Sequence, residues 1–194
     1  MARVADQRKI ALSARRKLSA ADRRRAARLA CRRLARLPVI RRARRIGIYR
    51  PLASEIDPRG LIDLLGPRPP RFYFPRVCGD TLRFVAARRD QRWRRSTLGV
   101  HEPGGWSHAT NTLDVLIMPL VGFDRAANRI GLGGGFYDRT LAPVSHLAYR
   151  GPTRIGLAFE CQRLNAIEPR PWDISLTAIA TERRVYQRRW AHSR

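Results

Sequence analysis

The chain has 194 residues, enough for one domain over 1–194 with a real hydrophobic core and too few for a comfortable second one. Its formal charge is +25, yet Lys9 and Lys17 are the only lysines, so the excess is arginine and reads as much as a compositional bias as a phosphate-binding surface. No segment approaches the ~20 apolar residues that cross a bilayer, and Cys31, Cys78 and Cys161 show neither CxxC nor Cys/His spacing, which argues against a disulfide framework or a zinc cluster and for a reducing, cytoplasmic setting.

In chain order, residues 6–37 read as helix. Ser19 with Asp22 three residues on makes a capping-box-like start, Ala27, Ala30, Cys31, Leu34 and Leu37 keep helical spacing, and Pro38 stops the run. Short apolar runs follow and read as strands: "RIGIYRP" (45–51), "RFYFPR" (71–76), "LRFVAA" (82–87), "DVLIMPLVGF" (114–123), "RIGLAF" (154–159) and "LTAIATERRVY" (176–186). "DPRGLIDLL" (57–65) and the stretch from Phe136 to about Leu141 read as helices between them. Residues 88–112 are poorly patterned, a loop long enough to fold over a site. Several strands are apolar without strict alternation, the mark of a sheet covered on both faces, so the fold class is α/β.

"RIGLGGGFYDR" (129–139) follows the most apolar strand and precedes a helix start. Glycines let successive N–H groups converge, and a helix N-terminus adds its positive dipole end, a combination that binds phosphate. It is neither a P-loop nor a dinucleotide fingerprint, since the last glycine position of GxGxxG holds Phe136. Asp138 would repel a bound phosphate by roughly 4 kcal/mol at ~4 Å unless a cation intervened. A magnesium ligand and a carboxylate that merely complements the helix dipole are both open on this motif.

With its flanks, "LDVLIMPLVGFDRAANRIGLGGGFYDRTL" (113–141) resembles the signature of 5-formyltetrahydrofolate cyclo-ligases, also called methenyltetrahydrofolate synthetases. The likeness extends to the basic N-terminal helix, "YRPLASEID" (49–57), "FPRV" (74–77), "HEP" (101–103), "IGLAFECQ" and "PWDISLTAIATE". It implies a three-layer sandwich of the NagB/RpiA/CoA transferase-like type, with a central, mostly parallel or mixed sheet and helices on both faces. It also implies a small-molecule enzyme that uses ATP and Mg²⁺ to close 5-formyltetrahydrofolate to 5,10-methenyltetrahydrofolate through phosphorylation of the formyl oxygen.

The same resemblance implies the roles. Arg129, Tyr137 and Asp138 would be catalytic. Arg8, Lys9, Arg129, Gly131, Gly133, Gly134, Gly135, Phe136 and Tyr137 would hold ATP, with Arg15 a neighbouring alternative to Arg8. Arg50, Glu55, Phe136 and Tyr137 would bind the folate, and Asp138 and Asp173 the magnesium. Val4 stands where the family usually has Lys or Arg, so Arg3 is a candidate substitute. "PWD" replaces the commoner Pro-His-Asp, and Trp172 is expected to pack. His101, His108, His146 and His192 are read as surface residues. A monomer away from membranes is expected. The competing reading is a basic nucleic-acid-binding protein on the same fold, which lacks any helix-turn-helix, RNP or zinc pattern. Non-specific contact of nucleic acid with the arginines would be its weak form.

Overall fold

The computed structural model describes residues 4–66, 69–96, 99–145 and 151–188. The expected helix over 6–37 is two helices, α1 (Val4–Arg16) and α2 (Ala20–Ala35), followed by a short α3 (Pro38–Arg42). The break falls at Ser19, whose backbone is extended and whose hydroxyl accepts from the Asp22 N–H at 3.0 Å, so the cap starts the second helix. Pro38 takes the first turn of α3, where its missing N–H removes no bond.

Strands β1 (Arg45–Gly47), β2 (Arg71–Cys78) and β3 (Thr81–Ala86) come next. The stretch between β1 and β2 expected to be helical is a 3-10 turn, Arg59–Leu64. The poorly patterned region holds β4 (Trp93–Arg95) paired with β5 (His101–Pro103), and β6 (Ser107–His108). The two long apolar runs each divide. Residues 114–123 give β7 (Val115–Pro119) and β8 (Gly122–Phe123), and β8 pairs with β9 (Arg129–Ile130). Helix α4 (Phe136–Ser145) and β10 (Thr153–Leu157) follow, and residues 176–186 give β11 (Ala178–Ala180) and β12 (Val185–Gln187).

The sheet order is β12-β11-β10-β7-β1-β2-β3-β6. The five inner strands from β11 to β2 run parallel, and β12, β3 and β6 close the edges antiparallel. Period-two side-chain direction divides the core in two. Val115 and Ile117 point to the layer of α2, with Ala30, Cys31 and Leu34, whereas Leu116 and Met118 point to the layer of α4, with Leu141. This is a three-layer α/β sandwich with a mostly parallel, mixed sheet. At Gly47 a Cβ would lie 2.7 Å from a Leu116 methyl and 2.8 Å from a Leu113 methyl, so the central strand can pack this closely only without a side chain. Among the described residues, no helix is long and apolar enough to cross a membrane.

Candidate active site

A cavity of about 790 Å³ opens beyond the carboxyl ends of β1 and β7, where Tyr49, Pro119 and Leu120 line it. This is the usual ligand position of a parallel α/β sheet. Two buried polar side chains that do not line it hold the backbone around it. Asp124 is 4% exposed and accepts from the N–H groups of Ala126 (2.9 Å), Asn128 (3.0 Å) and Ile167 (3.0 Å) and from the Asn128 amide (2.9 Å). It therefore fixes the β8–β9 turn and ties to it the segment that leads to Asp173. Gln162 donates to the carbonyls of Leu120 (3.0 Å) and Val121 (2.7 Å) and accepts from the Phe159 N–H (2.9 Å), pinning the chain as it leaves β7. Neither role is legible from sequence, although Asp124 in "GFD" and Gln162 in "FECQ" fall within the stretches that carry the family resemblance.

The glycine loop runs from β9 into α4. Gly133 (φ +111°) and Gly135 (φ +66°) adopt backbone that L side chains rarely reach, which is why glycine is required at these two positions. Arg8, from α1, donates through Nε to the Gly131 carbonyl at 3.0 Å, joining groups 123 positions apart. Gly131, Gly133, Gly134, Gly135, Phe136 and Tyr137 all line the cavity with Arg8, Arg129 and Asp138. Lys9 does not: it is exposed on the other side of α1, and this residue of the expected nucleotide set stands apart. Val4 reaches the cavity wall, whereas Arg3 lies outside the described residues.

The Arg129 side chain is 7% exposed and pairs through Nη2 with Asp138 Oδ1 at 2.5 Å; the same oxygen accepts from the Ile174 N–H at 3.1 Å. Asp138 Oδ2 has no hydrogen bond to a described residue. Asp173 lines the same cavity, and its Oδ2 closes a turn by accepting from the Arg170 N–H at 2.9 Å. Among the described residues, no group of three or more His, Cys, Asp or Glu side chains could hold a metal by itself. Two carboxylates beside a phosphate-type loop suit a magnesium ion that draws its remaining ligands from substrate phosphates and water, so the donor set fits that ion.

Glu55 lines the same cavity; its side chain is 6% exposed and its Oε2 accepts from the Leu52 N–H at 2.9 Å. Burial raises its carboxyl above the ordinary value, against the opposing pull of that N–H and of Arg15. Burial, and then the Glu55 charge, likewise raise the Tyr137 phenol. Arg50 lines the wall and stacks 4.3 Å over the Trp93 ring, which meets Phe74 edge-on at 5.1 Å, so the β4–β5 hairpin is anchored to the sheet.

Arg15 does not join Arg8 at the glycine loop; it is buried behind Glu55. Trp172, expected to pack, is 63% exposed at the cavity lip beside Arg170, because the turn that Asp173 closes projects it outward. His101 is exposed and lines the cavity, but His108 is half-buried against Tyr73, ring centroids 5.4 Å apart, rather than a free surface residue. His146 and His192 lie outside the described residues. Arg139, unassigned by the sequence, donates to the Gly134 carbonyl at 2.7 Å and clamps the loop's outer side.

The model of the 5-formyltetrahydrofolate cyclo-ligase family matches residues 2–182. The chain is 32% identical to the 5-formyltetrahydrofolate cyclo-ligase of Escherichia coli K12 over 151 residues, covering 75% of this chain and 81% of that protein. It is also 32% identical to the enzyme of that name from Haemophilus influenzae over 144 residues, covering 71% and 75% respectively. Among solved structures, the 5,10-methenyltetrahydrofolate synthetase of Aquifex aeolicus superposes with a TM-score of 0.82 at 25% identity, covering 98% of this chain and 95% of that one. The 5,10-methenyltetrahydrofolate synthetase of Mycoplasma pneumoniae gives 0.73 at 25% identity, covering 93% and 99%. The chain belongs to the 5-formyltetrahydrofolate cyclo-ligase family.

Proposed function

We propose that this cavity closes 5-formyltetrahydrofolate to 5,10-methenyltetrahydrofolate at the expense of ATP, with Arg8, Arg129 and the glycine loop at the nucleotide end and Glu55 and Arg50 at the folate end. The observation that carries the reading is the co-location of unlike recognition groups in one 790 Å³ space. A glycine loop flanked by two guanidiniums suits phosphates, and an inward carboxylate suits the N–H donors of a pterin.

The chemistry explains why both ends are needed. A formyl oxygen on nitrogen is a poor leaving group. Transfer of the γ-phosphoryl group to that oxygen breaks the terminal P–O bond of ATP, releases ADP and leaves an iminium phosphate. The second folate nitrogen then attacks the formyl carbon and loses its proton, and the C–O bond breaks to expel phosphate and leave the cyclic amidinium. Positioning and charge neutralisation supply most of the catalysis in such a transfer.

Arg8 and the loop N–H groups hold the polyphosphate, and Arg129 stabilises charge on the transferred group while orienting Asp138. Phe136 and Tyr137 occupy the junction, where their rings exclude water from the reacting oxygen. Asp138 and Asp173 are the residues that would hold Mg²⁺, which when bound neutralises phosphate charge. The protein acts as a monomer in the cytoplasm, as one domain over 1–194, and its cationic surface speeds the arrival of two anionic substrates.

The test is the absorbance of methenyltetrahydrofolate formed from 5-formyltetrahydrofolate by the purified protein, with ATP or divalent metal omitted in parallel. Turnover that requires both supports the reading. No turnover together with no ATP binding overturns it.

A further inference from the structure

Arginine at position 15 is hard to explain as part of a surface. Its residue is 3% exposed, and it lies on α1 where Ala11, one turn earlier, is buried as well. Its guanidinium reaches Glu55, with Nη1 to Oε1 at 4.0 Å, both side chains nearly closed to solvent at 4% and 6%. Its Nε is buried with no hydrogen-bond partner among the described residues. Glu55 lines the cavity and Arg15 does not, so the arginine stands behind the carboxylate rather than beside the ligand space.

A side chain this buried, in a chain with so many arginines free to face water, is placed there by its partner. Burying a guanidinium is unfavourable by itself, and burial is the leading cause that lowers its pKa, with Glu55 the leading opposing influence. The return is at Glu55. The other titratable groups close enough to act on this pair are neutral acids or further cations. Tyr49, whose hydroxyl is committed to the Ile56 carbonyl at 2.8 Å, and Tyr137 on α4 both lie near the carboxylate. Arg16 and Cys161 act on Arg15 itself. None of these but Arg15 supplies a buried counter-charge to Glu55.

We propose that Arg15 is the positioning residue of the folate end: from behind the cavity wall it supplies the counter-charge that keeps Glu55 an acceptor carboxylate, aimed at the pterin N–H donors. The inference rests on the assignment of Glu55 to the folate made above. It moves Arg15 out of the nucleotide site, where its place in the sequence beside Arg8 would put it, and gives it no contact with either substrate. A protonated Glu55 would present a hydroxyl to N–H groups and lose the charge-assisted pair, so the arginine acts on folate affinity and its pH dependence.

The experiment measures KM for 5-formyltetrahydrofolate and for ATP across a pH series in the wild type, Arg15→Met, Arg15→Gln and Arg15→Lys. Direct folate binding by fluorescence serves as a second readout. Loss of an opposite charge at this distance moves a carboxyl titration by about 1–3 pH units. The neutral variants are therefore expected to show the rise in folate KM beginning about 1–3 pH units higher than in the wild type, with ATP KM within about twofold. Arg15→Lys keeps a cation and is expected to restore most of the wild-type profile. Arg15→Gln keeps a polar head in the buried site, so the test survives if the methionine variant fails to fold. Adding Glu55→Gln removes the titrating group, and the double variant should have a flat folate profile. A neutral variant that raises ATP KM and leaves folate KM alone, or one whose folate profile does not move, overturns the proposal. Absence of ATP-dependent turnover in the wild type instead sinks the functional reading beneath it, and the two failures are thereby distinguishable.

Discussion

Asp138→Asn is the most informative single change, because it separates what the carboxylate does for the fold from what it does for the nucleotide. The Arg129–Asp138 pair spans 2.5 Å, with the two side chains 7% and 19% exposed. Removing one charge from a buried pair costs about 3–5 kcal/mol, since the other is left uncompensated. Two features reduce this: asparagine keeps an oxygen for the Ile174 N–H, now at 3.1 Å, and the acid has some solvent access. One feature works against relief, because Arg129 Nε already lacks a partner among the described residues. About 2–3 kcal/mol of destabilisation remains, which for a chain of this size lowers the melting temperature by about 4–12 °C.

The nucleotide arm of the same experiment compares melting with and without ATP and magnesium. A ligand at ~100 times its Kd stabilises the native state by about 2.7 kcal/mol. That gain is expected in the wild type and should be largely lost in Asp138→Asn, together with turnover. The assay is differential scanning fluorimetry run beside the absorbance assay. A variant that melts within about 1 °C of the wild type, gains as much from ATP and turns over normally would refute both the buried pair and the metal-binding role.

Gly133→Ala forces φ of +111° on a side chain whose Cβ meets nothing closer than Arg8 at 3.8 Å, so its penalty is conformational, about 1–3 kcal/mol. It should raise ATP KM by about 5- to 150-fold while Gly131→Ala, at ordinary φ, has a smaller effect; equal KM values would contradict this. Burial raises the Glu55 carboxyl above its ordinary 4.5. Its contribution to stability is therefore full below 4.5 and declines as pH rises from there through the folded value, so the stability of wild type minus Glu55→Gln should fall across that window in denaturant titrations. A difference that grows with pH would contradict the sign. Burial lifts the Cys31 thiol to about 12 and also raises the Cys161 thiol, although Cys161 like Cys78 is exposed, so iodoacetamide near neutral pH should label Cys78 first, Cys161 more slowly and Cys31 only on unfolding, as read by mass spectrometry of peptides.

Local signals survived translation into structure and long-range ones did not. Ser19 with Asp22 marked a helix start because the cap is a three-residue interaction. The same pattern failed to show α1 ending at Arg16, since apolar spacing continues through Leu18 and a break leaves no periodic trace. The runs 114–123 and 176–186 are each apolar enough for one strand, yet each bends. In the first, the bend is held by Gln162 from 42 positions away. The glycine loop could be read from composition, but the carbonyl that Arg8 holds at Gly131 lies 123 residues distant. Arg15 was illegible for a plainer reason: amid a crowd of arginines, nothing in the sequence separates the one that is buried from its neighbours.

Charge at +25 makes arginine uninformative and makes each carboxylate the residue to question. An acid on such a surface can find a cation by chance, as Asp57 does with Arg59 two positions on. The buried or half-buried acids do something more exacting. Asp124 gathers three backbone N–H groups and an amide. Glu160 accepts from the Tyr186 and Thr181 hydroxyls and so joins the 3-10 turn Glu160–Gln162 to the β11–β12 edge. Among the described residues, Asp138 and Glu55 are the two whose buried partner is an arginine and whose side chains line the cavity. Withdrawing an arginine from water is unfavourable unless a carboxylate compensates it, and in both cases that carboxylate lines the cavity. The cations set against these two carboxylates are thus hidden ones, and the many on the surface serve at most to draw anions toward the cavity mouth, a long-range effect that salt screens.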